Sequence, residues 1–310
     1  MIGTGELERV VFGCGNIGGL GSSPVLRGKG DSREQGLALL DHARDLGLTH
    51  FDTANTYGSG VSETVLGEWL RRQSSAVRSR VHIATKVGNP NGCSPPDRPL
   101  SRSQITLHLD ASLRRLGLEQ IGLYYLHEFD PLTPLDETLE ALEHARADGK
   151  IAAFGVSNAT IGDLKTVLAL TGEGALRRVF THVQNQFNLL AQVDLPELIP
   201  LTQTQGLAYV AFSPLAGGLL SGKYLQDRPP NSADRIAIAP DYYRHLLTPE
   251  TFKAIDELRQ RAAARGWTVP GAALRFVLDT PGVNSLIIAP RSIEQFAAYE
   301  MSKGPKVRLT

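Results

Sequence analysis

Cysteine is scarce in this chain, which has two among its 310 residues, Cys14 and Cys93. One pair at so wide a spacing is no disulfide framework, and no C-x-x-C motif occurs. So few cysteines fit a reducing compartment, and we therefore expect a cytoplasmic protein. The start of the chain lacks a charged segment followed by an apolar one, so the sequence predicts no signal peptide.

Long apolar runs and an excess of one charge are also missing. No apolar stretch approaches the ~20 residues that a membrane-spanning helix requires, so we expect no membrane partner. Lys and Arg together number 32, as do Asp and Glu, and the formal net charge is therefore zero. Because the basic residues are scattered without a run, the sequence gives no reason to expect nucleic acid as a partner.

What the chain does contain is a regular alternation of short apolar runs and amphipathic stretches. The eight runs are residues 10–13, 49–53, 81–87, 121–127, 151–158, 179–186, 206–214 and 284–290. The stretches between them carry apolar residues at helical spacing and suitable capping residues, such as Ser32 with Gln35 and Thr248 with Pro249. Eight strand–helix units predict an α/β fold, a closed (β/α)₈ TIM barrel, as a single domain over residues 1–310.

Polar side chains stand at the ends of six successive predicted strands. Asp52 ends the second strand and Tyr57 follows in its loop, Lys86 ends the third strand, and His127 ends the fourth. The fifth, sixth and seventh strands end in Ser157 with Asn158, Gln184 and Ser213. Because active sites of such barrels lie at the C-terminal ends of the strands, we expect these side chains to converge.

Each of the four strongest candidates has an ordinary structural explanation when taken alone. Asp52 would serve as a helix cap, and Lys86 would extend from the rim into solvent. Tyr57 would pack with its hydroxyl in water, and His127 would be a hydrogen-bonded core residue. All four explanations would have to hold at once, so the coincidence at one rim favours a functional site.

These four groups together describe a general acid aimed at a carbonyl. An ammonium beside a phenol makes the phenol more acidic, and a carboxylate would keep that ammonium charged. A neutral imidazole nearby can orient the carbonyl oxygen, and a positioned acid contributes ~10²–10⁴ in rate. Hydride has to come from elsewhere, so a nicotinamide cofactor is implied. The sequence thus predicts reduction of a small aldehyde or ketone to an alcohol, or the reverse.

The chain resembles the aldo-keto reductases over nearly its whole length. The matching motifs are FDTANTYGSGVSETVLG (51–67), IATKVG (83–88), LYYLHEFDP (123–131), GKIAAFGVSNAT (149–160), QNQFNLL (184–190), FSPLAGGLLSGKY (212–224) and IIAPRSIEQ (287–295). The resemblance implies the catalytic set Asp52, Tyr57, Lys86 and His127. In that set Tyr57 donates the proton, Lys86 held by Asp52 lowers the pKa of the phenol, and His127 orients the substrate carbonyl.

The resemblance also implies a binding site for NADPH, with NADH as the other possible cofactor. The carboxamide would lie against Ser157, Asn158 and Gln184, the nicotinamide ring against Phe212, and the pyrophosphate within residues 213–224. Arg291, Ser292 and Gln295 would approach the adenosine end. The cofactor residues so implied are Cys14, Gly15, Asp52, Ser157, Asn158, Gln184, Phe212, Ser213, Pro214, Leu215, Gly217, Leu219, Lys223, Ile288, Ala289, Arg291 and Gln295.

Several positions depart from the pattern of that family. Glu128 follows His127 where Arg or Trp is commoner, and we expect Glu128 to face substrate together with Tyr57 and His127. Gln295 stands where strong NADPH binders of other branches carry Arg, and Tyr299 stands where many members carry an adenine-binding Asn. Two long loops, residues 88–100 and 223–247, are expected to shape the substrate pocket.

Other interpretations of the sequence remain open. GCGNIG at residues 13–18 spells a dinucleotide-binding motif, but no helix pattern follows it, which disfavours a Rossmann fold. Cys14 lacks the partner spacing of a metal ligand or a nucleophile, and no metal is predicted. A nucleotide-binding regulatory subunit with little turnover would have the same fold. A barrel hydrolase would need a second carboxylate beside Asp52, for which Glu128 is the candidate.

Overall fold

The strands occupy the predicted runs. The computed structural model describes residues 7–92, 98–224, 230–232 and 234–298. The strands are Val10–Gly13 (β1), His50–Asp52 (β2), His82–Val87 (β3), Ile121–Leu126 (β4), Ile151–Ser157 (β5), Phe180–Gln186 (β6), Ala208–Phe212 (β7) and Val283–Ile288 (β8). All neighbours pair in parallel and the sheet closes in the order β1 to β8, so the predicted (β/α)₈ barrel is confirmed. The single-domain interpretation of residues 1–310 stays a prediction.

Helices lie between successive strands and cover the barrel. They are Arg33–Asp45 (α1), Val61–Arg72 (α2), Ser75–Arg78 (α3), Arg102–Leu116 (α4), Leu135–Ala147 (α5), Ile161–Thr171 (α6), Ala175–Val179 (α7), Leu198–Thr204 (α8), Arg235–Ile238 (α9), Pro240–Tyr243 (α10), Pro249–Ala263 (α11), Val269–Asp279 (α12) and Ile293–Ala298 (α13). Short 3₁₀ helices cover Leu7–Arg9, Pro24–Leu26, Tyr57–Gly60, Pro90–Gly92, Ala216–Ser221 and Arg244–Leu246. Within the described ranges, no helix is both long and apolar enough to cross a membrane.

Local sequence signals explain where several helices begin and end. Ser32 and Gln35 form a complete capping box before α1, and the Thr248 side chain caps α11. Ser101 precedes α4 without a side-chain capping bond, while Gly117 ends that helix with a φ of 70°. The left-handed conformation at Gly117 is open to glycine at little cost, so the helix stops there.

The strand β1 leads into a loop and not into a helix. After Gly13 the chain forms turns and isolated bridges, and the next α-helix begins at Arg33. A dinucleotide-binding G-x-G-x-x-G needs a helix that starts within the motif. The structure therefore agrees with the rejection of a Rossmann fold for residues 13–18.

The core consists of large apolar side chains on both faces of the strands. Phe12, Phe51, Trp69, Phe154 and Phe180 are among the residues that are almost fully buried. A parallel barrel covered by helices buries both faces of each strand, which explains the nearly continuous apolar runs in the sequence. The strand ends are held firmly by this packing, and so are the polar residues that follow them.

The long segment 223–247 is partly helical, whereas the sequence predicted a loop. Apart from 225–229 and 233, which lie outside the described residues, it contains α9, α10 and the 3₁₀ helix Arg244–Leu246. Ile236 is buried, and Ala239 packs against Leu20 and Leu26 of the loop after β1. This contact between distant loops holds the segment at the C-terminal end of the barrel. Loop 88–100 is described except for residues 93–97.

Candidate active site

A cleft of about 790 Å³ opens at the C-terminal ends of the strands. Its walls come from the strand ends and the loops that follow them. The predicted site residues that line it are Gly15, Asp52, Tyr57, His127, Glu128, Ser157, Asn158, Gln184, Phe212, Ser213, Pro214, Leu215, Gly217, Lys223, Ile288, Ala289, Arg291 and Gln295. With Asn89 from the loop after β3, one cavity brings together residues from all eight strands or the loops that follow them.

Three predicted site residues lie behind the wall of the cleft. Lys86 is fully buried beneath Tyr57. Cys14 and Leu219 are also fully buried, and Leu219 packs in an apolar cluster with Leu220. Burial holds the pKa of the Cys14 thiol well above its usual range. Cys14 and Leu219 could therefore meet a ligand through their backbone only, and Cys14 is no thiolate nucleophile.

Lys86 is the centre of a buried polar cluster. Its Nζ donates to the carboxylate of Asp52, to the carbonyl oxygen of Thr53 at 2.9 Å and to Tyr57 Oη at 3.2 Å. The second oxygen of Asp52 accepts a hydrogen bond from Gln184 Nε2 at 2.8 Å. Burial acts to lower the pKa of Lys86, but Asp52 and Tyr57 outweigh it and the net pKa is raised. Lys86 is therefore an ammonium at neutral pH.

The electrostatics of Tyr57 differ in sign from the prediction. Burial raises the pKa of the Tyr57 phenol, and the charge of Lys86 offsets only part of that rise. The sequence predicted the contribution of Lys86 but not the larger effect of burial. Tyr57 consequently keeps its proton at neutral pH, as a proton donor must.

His127 stands edge-on to Tyr57, with ring centroids 5.7 Å apart and planes at 85°. Its backbone N–H donates to the Val87 carbonyl at 2.7 Å, and its carbonyl accepts from Asn158 Nδ2 at 2.9 Å. The buried Nδ1 has no hydrogen-bond partner among the described residues. Burial, and after it the charge of Lys86, holds the pKa of His127 well below its usual value. The imidazole is therefore neutral.

Two wall residues have an unfavourable backbone conformation. Asn158 and Ser213 have φ values of 53° and 55°, a left-handed conformation that costs a non-glycine residue ~1–3 kcal/mol. The Asn185 side chain bonds both the N–H and the C=O of Ala159, at 2.9 and 2.8 Å, and so holds the chain beside Asn158. Asn188 Nδ2 donates to the Ser213 carbonyl at 2.9 Å. Strain that surrounding contacts maintain is typical of functional sites.

The segment after β7 brings its backbone close to the cleft. Gly217 and Gly218 have φ values of 67° and 104°, and a Cβ on Gly217 would lie 2.1 Å from the Tyr243 ring. Ser221 Oγ and Arg235 Nε are buried without a hydrogen-bond partner in the part of the chain that the structure describes. Both residues line the cleft. Unpaired donors beside a glycine-rich backbone form a site that suits an anion.

Two further cations line this part of the cleft. Lys223 is paired with Asp234, and Arg291 Nε donates to Asp31 Oδ1 at 2.9 Å. Gln295 Oε1 accepts from the Arg291 backbone N–H at 2.9 Å, which fixes the turn after β8. The predicted adenosine end therefore carries a guanidinium that a buried carboxylate orients. Tyr299, the other departure noted at this end, lies outside the described residues.

Sequence reasoning missed several polar residues of the cleft. Arg235 Nη1 donates to Asn16 Oδ1 at 3.2 Å, and Asn16 Nδ2 donates to the Ala289 carbonyl at 2.9 Å. Ser221 and Asn89 also line the cleft. Asn16 lies in the glycine motif 13–18, and Ser221 lies in the segment expected around the pyrophosphate. Asn89 and Arg235 lie in the two long loops that were expected to shape the pocket, so the sequence indicated the segments but not these individual side chains.

The geometry weakens the hydrolase interpretation. One oxygen of Asp52 accepts from Lys86 and the other from Gln184, so neither is free for a nucleophile or a general base. Among the residues described, no group of three or more His, Cys, Asp or Glu side chains could hold a metal ion. What the arrangement can do is deliver a proton from Tyr57 into the cleft while Lys86 stabilises the phenolate that remains.

A barrel with buried acid–base groups beneath a cleft at its C-terminal rim is the architecture of barrel enzymes. A family model described as "Aldo/keto reductase family" matches residues 9–299. The L-glyceraldehyde 3-phosphate reductase of Escherichia coli (strain K12) is 36% identical over an alignment of 265 residues that covers 83% of this chain and 75% of that protein. A putative voltage-gated potassium channel subunit beta of Schizosaccharomyces pombe is 32% identical over 273 residues, with coverages of 83% and 75%.

A solved structure agrees with these relatives. The glycerol dehydrogenase from Gluconobacter oxydans matches with a TM-score of 0.76 and 27% sequence identity, over 97% of this chain and 88% of that chain. The chain therefore belongs to the aldo/keto reductase family of oxidoreductases. Enzymes of this family use nicotinamide cofactors and act on small molecules.

Proposed function

We propose that this protein is an NAD(P)H-dependent reductase that converts an aldehyde or a ketone to an alcohol, or catalyses the reverse. The observation that carries the proposal is the contact of the buried Lys86 Nζ with both Asp52 and Tyr57 Oη. Tyr57 acts as the general acid, Lys86 and Asp52 support it from below, and His127 orients the substrate carbonyl.

Proton transfer from Tyr57 follows from its surroundings. The phenol is protonated in the resting site at neutral pH, and burial raises its pKa further. As negative charge develops on the carbonyl oxygen, Tyr57 Oη donates its proton to that oxygen. The phenolate that remains lies 3.2 Å from the ammonium of the fully buried Lys86, which stabilises it. In alcohol oxidation the same atoms act in reverse, with the phenolate as the base.

His127 contributes as a neutral group. Because its pKa is held well below the usual value, it carries one ring N–H and no charge. A neutral ring can donate a hydrogen bond to the carbonyl oxygen without adding a second cation beside Lys86. The edge-on contact with Tyr57 keeps the two donors on one side of the cleft.

The cleft fits a nicotinamide dinucleotide. The unpaired donors Ser221 Oγ and Arg235 Nε, together with the close backbone at Gly217, suit its phosphates. Ser157, Asn158 and Gln184 would hold the carboxamide, Phe212 would contact the ring, and residues 213–224 would surround the pyrophosphate. When bound, the cofactor supplies the hydride that the protein side chains lack.

We propose NADPH as the preferred cofactor. Arg291 donates to Asp31 through Nε, and among the described residues no hydrogen bond engages its two Nη groups, which leaves them for a phosphate. Charge-assisted bonds from a guanidinium to a phosphate are about twice as strong as neutral ones. Arg291 would therefore favour the 2′-phosphate of NADPH, with Gln295 beside it, over the ribose hydroxyl of NADH.

The test is oxidation of NADPH and of NADH in the presence of a broad panel of aldehydes and ketones, together with direct binding of each cofactor. We expect turnover with at least one class of carbonyl and faster turnover with NADPH. Tight cofactor binding without turnover in either direction would contradict the proposal.

A second candidate is a nucleotide-binding regulatory subunit, because one relative is named a potassium channel subunit beta. This function predicts that cofactor release is slower than any carbonyl reduction. Comparing the release rate with the turnover number would separate the two functions. The cytoplasmic location stays a prediction based on cysteine content.

A further inference from the structure

Charge is unevenly distributed around the cleft. The cations Lys223, Arg235 and Arg291 follow β7 and β8, where the cofactor phosphates are expected. Glu128 follows β4, which lies across the closed barrel from β8. The wall opposite the cations therefore carries a carboxylate, on the side where a substrate would meet His127.

The Glu128 carboxylate is held in position. Its Oε1 accepts a hydrogen bond from Asn89 Nδ2 at 2.7 Å, and Asn89 is buried. Asn89 Oδ1 in turn accepts from the Asn91 backbone N–H at 3.0 Å, which fixes the orientation of the amide. Within the described residues no cation pairs with Glu128. Its second oxygen thus remains available as an acceptor at the cleft.

The cleft wall away from the three cations includes uncharged polar side chains. Asn91, Ser22, Ser23 and Gln186 line the same cleft. Ser22 Oγ lies 2.8 Å from Thr56 Oγ1, so two hydroxyl groups lie together beside Tyr57 in the chain. A ligand with several hydroxyl groups can both donate and accept here. A phosphate dianion would meet an uncompensated carboxylate, which is a repulsive contact.

We propose that Glu128 selects uncharged, hydroxylated carbonyl compounds and disfavours phosphorylated ones. Its carboxylate accepts a hydrogen bond from a substrate hydroxyl near the carbonyl. This inference rests on the proposed reductase function, because it concerns the substrate of that same site. Burial raises the pKa of Glu128, so the selection weakens as the pH falls through that raised value.

Three aldehydes of equal chain length test the inference: propanal, glyceraldehyde and glyceraldehyde 3-phosphate. The wild type is expected to have its highest kcat/KM with glyceraldehyde. Glu128→Gln keeps the shape but removes the charge, and should lower the preference for glyceraldehyde over propanal about tenfold. The same change should raise the relative kcat/KM for the phosphate about tenfold. Glu128→Asp retains the charge and should still disfavour the phosphate.

Glu119→Gln is the matched control. Glu119 is exposed and precedes β4, so the variant removes the same charge at the opposite end of the same strand. It should leave all three kcat/KM values unchanged. If Glu128→Gln changed the three values by one common factor, or left their ratios unaltered, the inference would be wrong. A wild type that prefers the phosphate would also overturn it.

Failure of the proposed function would give a different result. In that case no variant reduces any aldehyde. The preference for hydroxylated over phosphorylated ligands is then measured by binding. Ligand-observed NMR with glycerol and glycerol 3-phosphate should show the wild type binding glycerol better, with that difference reduced about tenfold in Glu128→Gln. Equal binding of the two ligands to the wild type would refute the role of Glu128 independently of turnover.

Discussion

The ion pair at one end of the barrel and two histidines at the other respond to burial in opposite ways. At the C-terminal ends of the strands Lys86 and Asp52 are charged and paired. Near the N-terminal ends His50 and His182 are held neutral, because burial lowers the pKa of both, that of His182 to about 4. Their Nδ1 atoms contact the hydroxyls of their neighbours Thr49 and Thr181, at 3.1 and 2.7 Å.

The difference shows that pairing decides which groups retain charge. An ion that leaves water without a charged partner is costly, so the partly buried imidazoles of His50 and His182 stay neutral, as does the buried imidazole of His127. The Lys86–Asp52 pair keeps both charges because each compensates the other and hydrogen bonds satisfy the rest. An ion pair also forms between Arg275 and Asp279 at the end of α12, but of these two pairs only Lys86–Asp52 lies at the C-terminal ends of the strands, beneath Tyr57, where chemistry can use its field.

Lys86→Met would remove the Lys86–Asp52 ion pair and should have the largest effect on activity and stability. Loss of the ammonium should lower kcat by ~10²–10⁴ because the phenolate of Tyr57 loses its stabilising charge. The free energy of unfolding should fall by ~3–5 kcal/mol because Asp52 is left buried and unpaired. Steady-state kinetics and urea unfolding would measure both. The double variant Lys86→Met with Asp52→Asn should recover stability but not activity. A Lys86→Met protein with normal kcat would contradict the role given to Lys86.

Acidification should lower the stability of the protein through His182, near the N-terminal ends of the strands. The folded protein holds the pKa of His182 near 4, below the ~6.5 of an unfolded chain. The unfolded state therefore binds the extra proton, and stability falls as the pH drops from about 6.5 towards 4. The loss from this one group approaches roughly 3 kcal/mol. His182→Gln should flatten the dependence of unfolding free energy on pH, whereas His144→Gln on the exposed face of α5 should not.

Arg291→Ala tests a partly exposed charge of the cleft, in contrast to the buried Lys86. Arg291 is only partly buried, so its removal should weaken NADPH binding by about tenfold and leave NADH binding nearly unchanged. Fluorescence titration with both cofactors measures this. The control is Arg146→Ala on α5, where the guanidinium pairs with Glu143 away from the cleft. If Arg291→Ala weakened the binding of NADPH and NADH equally, Arg291 would not be the basis of an NADPH preference.

Much of the fold could be predicted because its signals are local. Each of the eight apolar runs became a strand, and the capping box at Ser32 begins α1 as expected. The positions of Asp52, Lys86 and His127 at the rim follow from the rule that parallel strands of a barrel end together. Their convergence could be predicted from the positions of the strand ends alone.

Other features depend on contacts that sequence order does not reveal. The net pKa shift of Tyr57 reflects burial, which comes from the assembled loops. Arg235 reaches the cleft because its segment packs against the loop after β1, with Ala239 on Leu20. Leu219 lies within a matching motif, yet it faces the core and not the cleft. Loop packing and side-chain direction were thus the parts that reasoning from the sequence missed.

The most direct test of the account compares Tyr57→Phe with Tyr124→Phe in a single turnover of cofactor-loaded protein with the best carbonyl found. Tyr124 is a buried tyrosine of β4 whose hydroxyl has no hydrogen-bond partner among the described residues. We expect Tyr57→Phe to slow the chemical step by ~10²–10⁴ with cofactor affinity retained, and Tyr124→Phe to react normally. A Tyr57→Phe protein that reduces the carbonyl at the wild-type rate would contradict the assignment of Tyr57 as the acid.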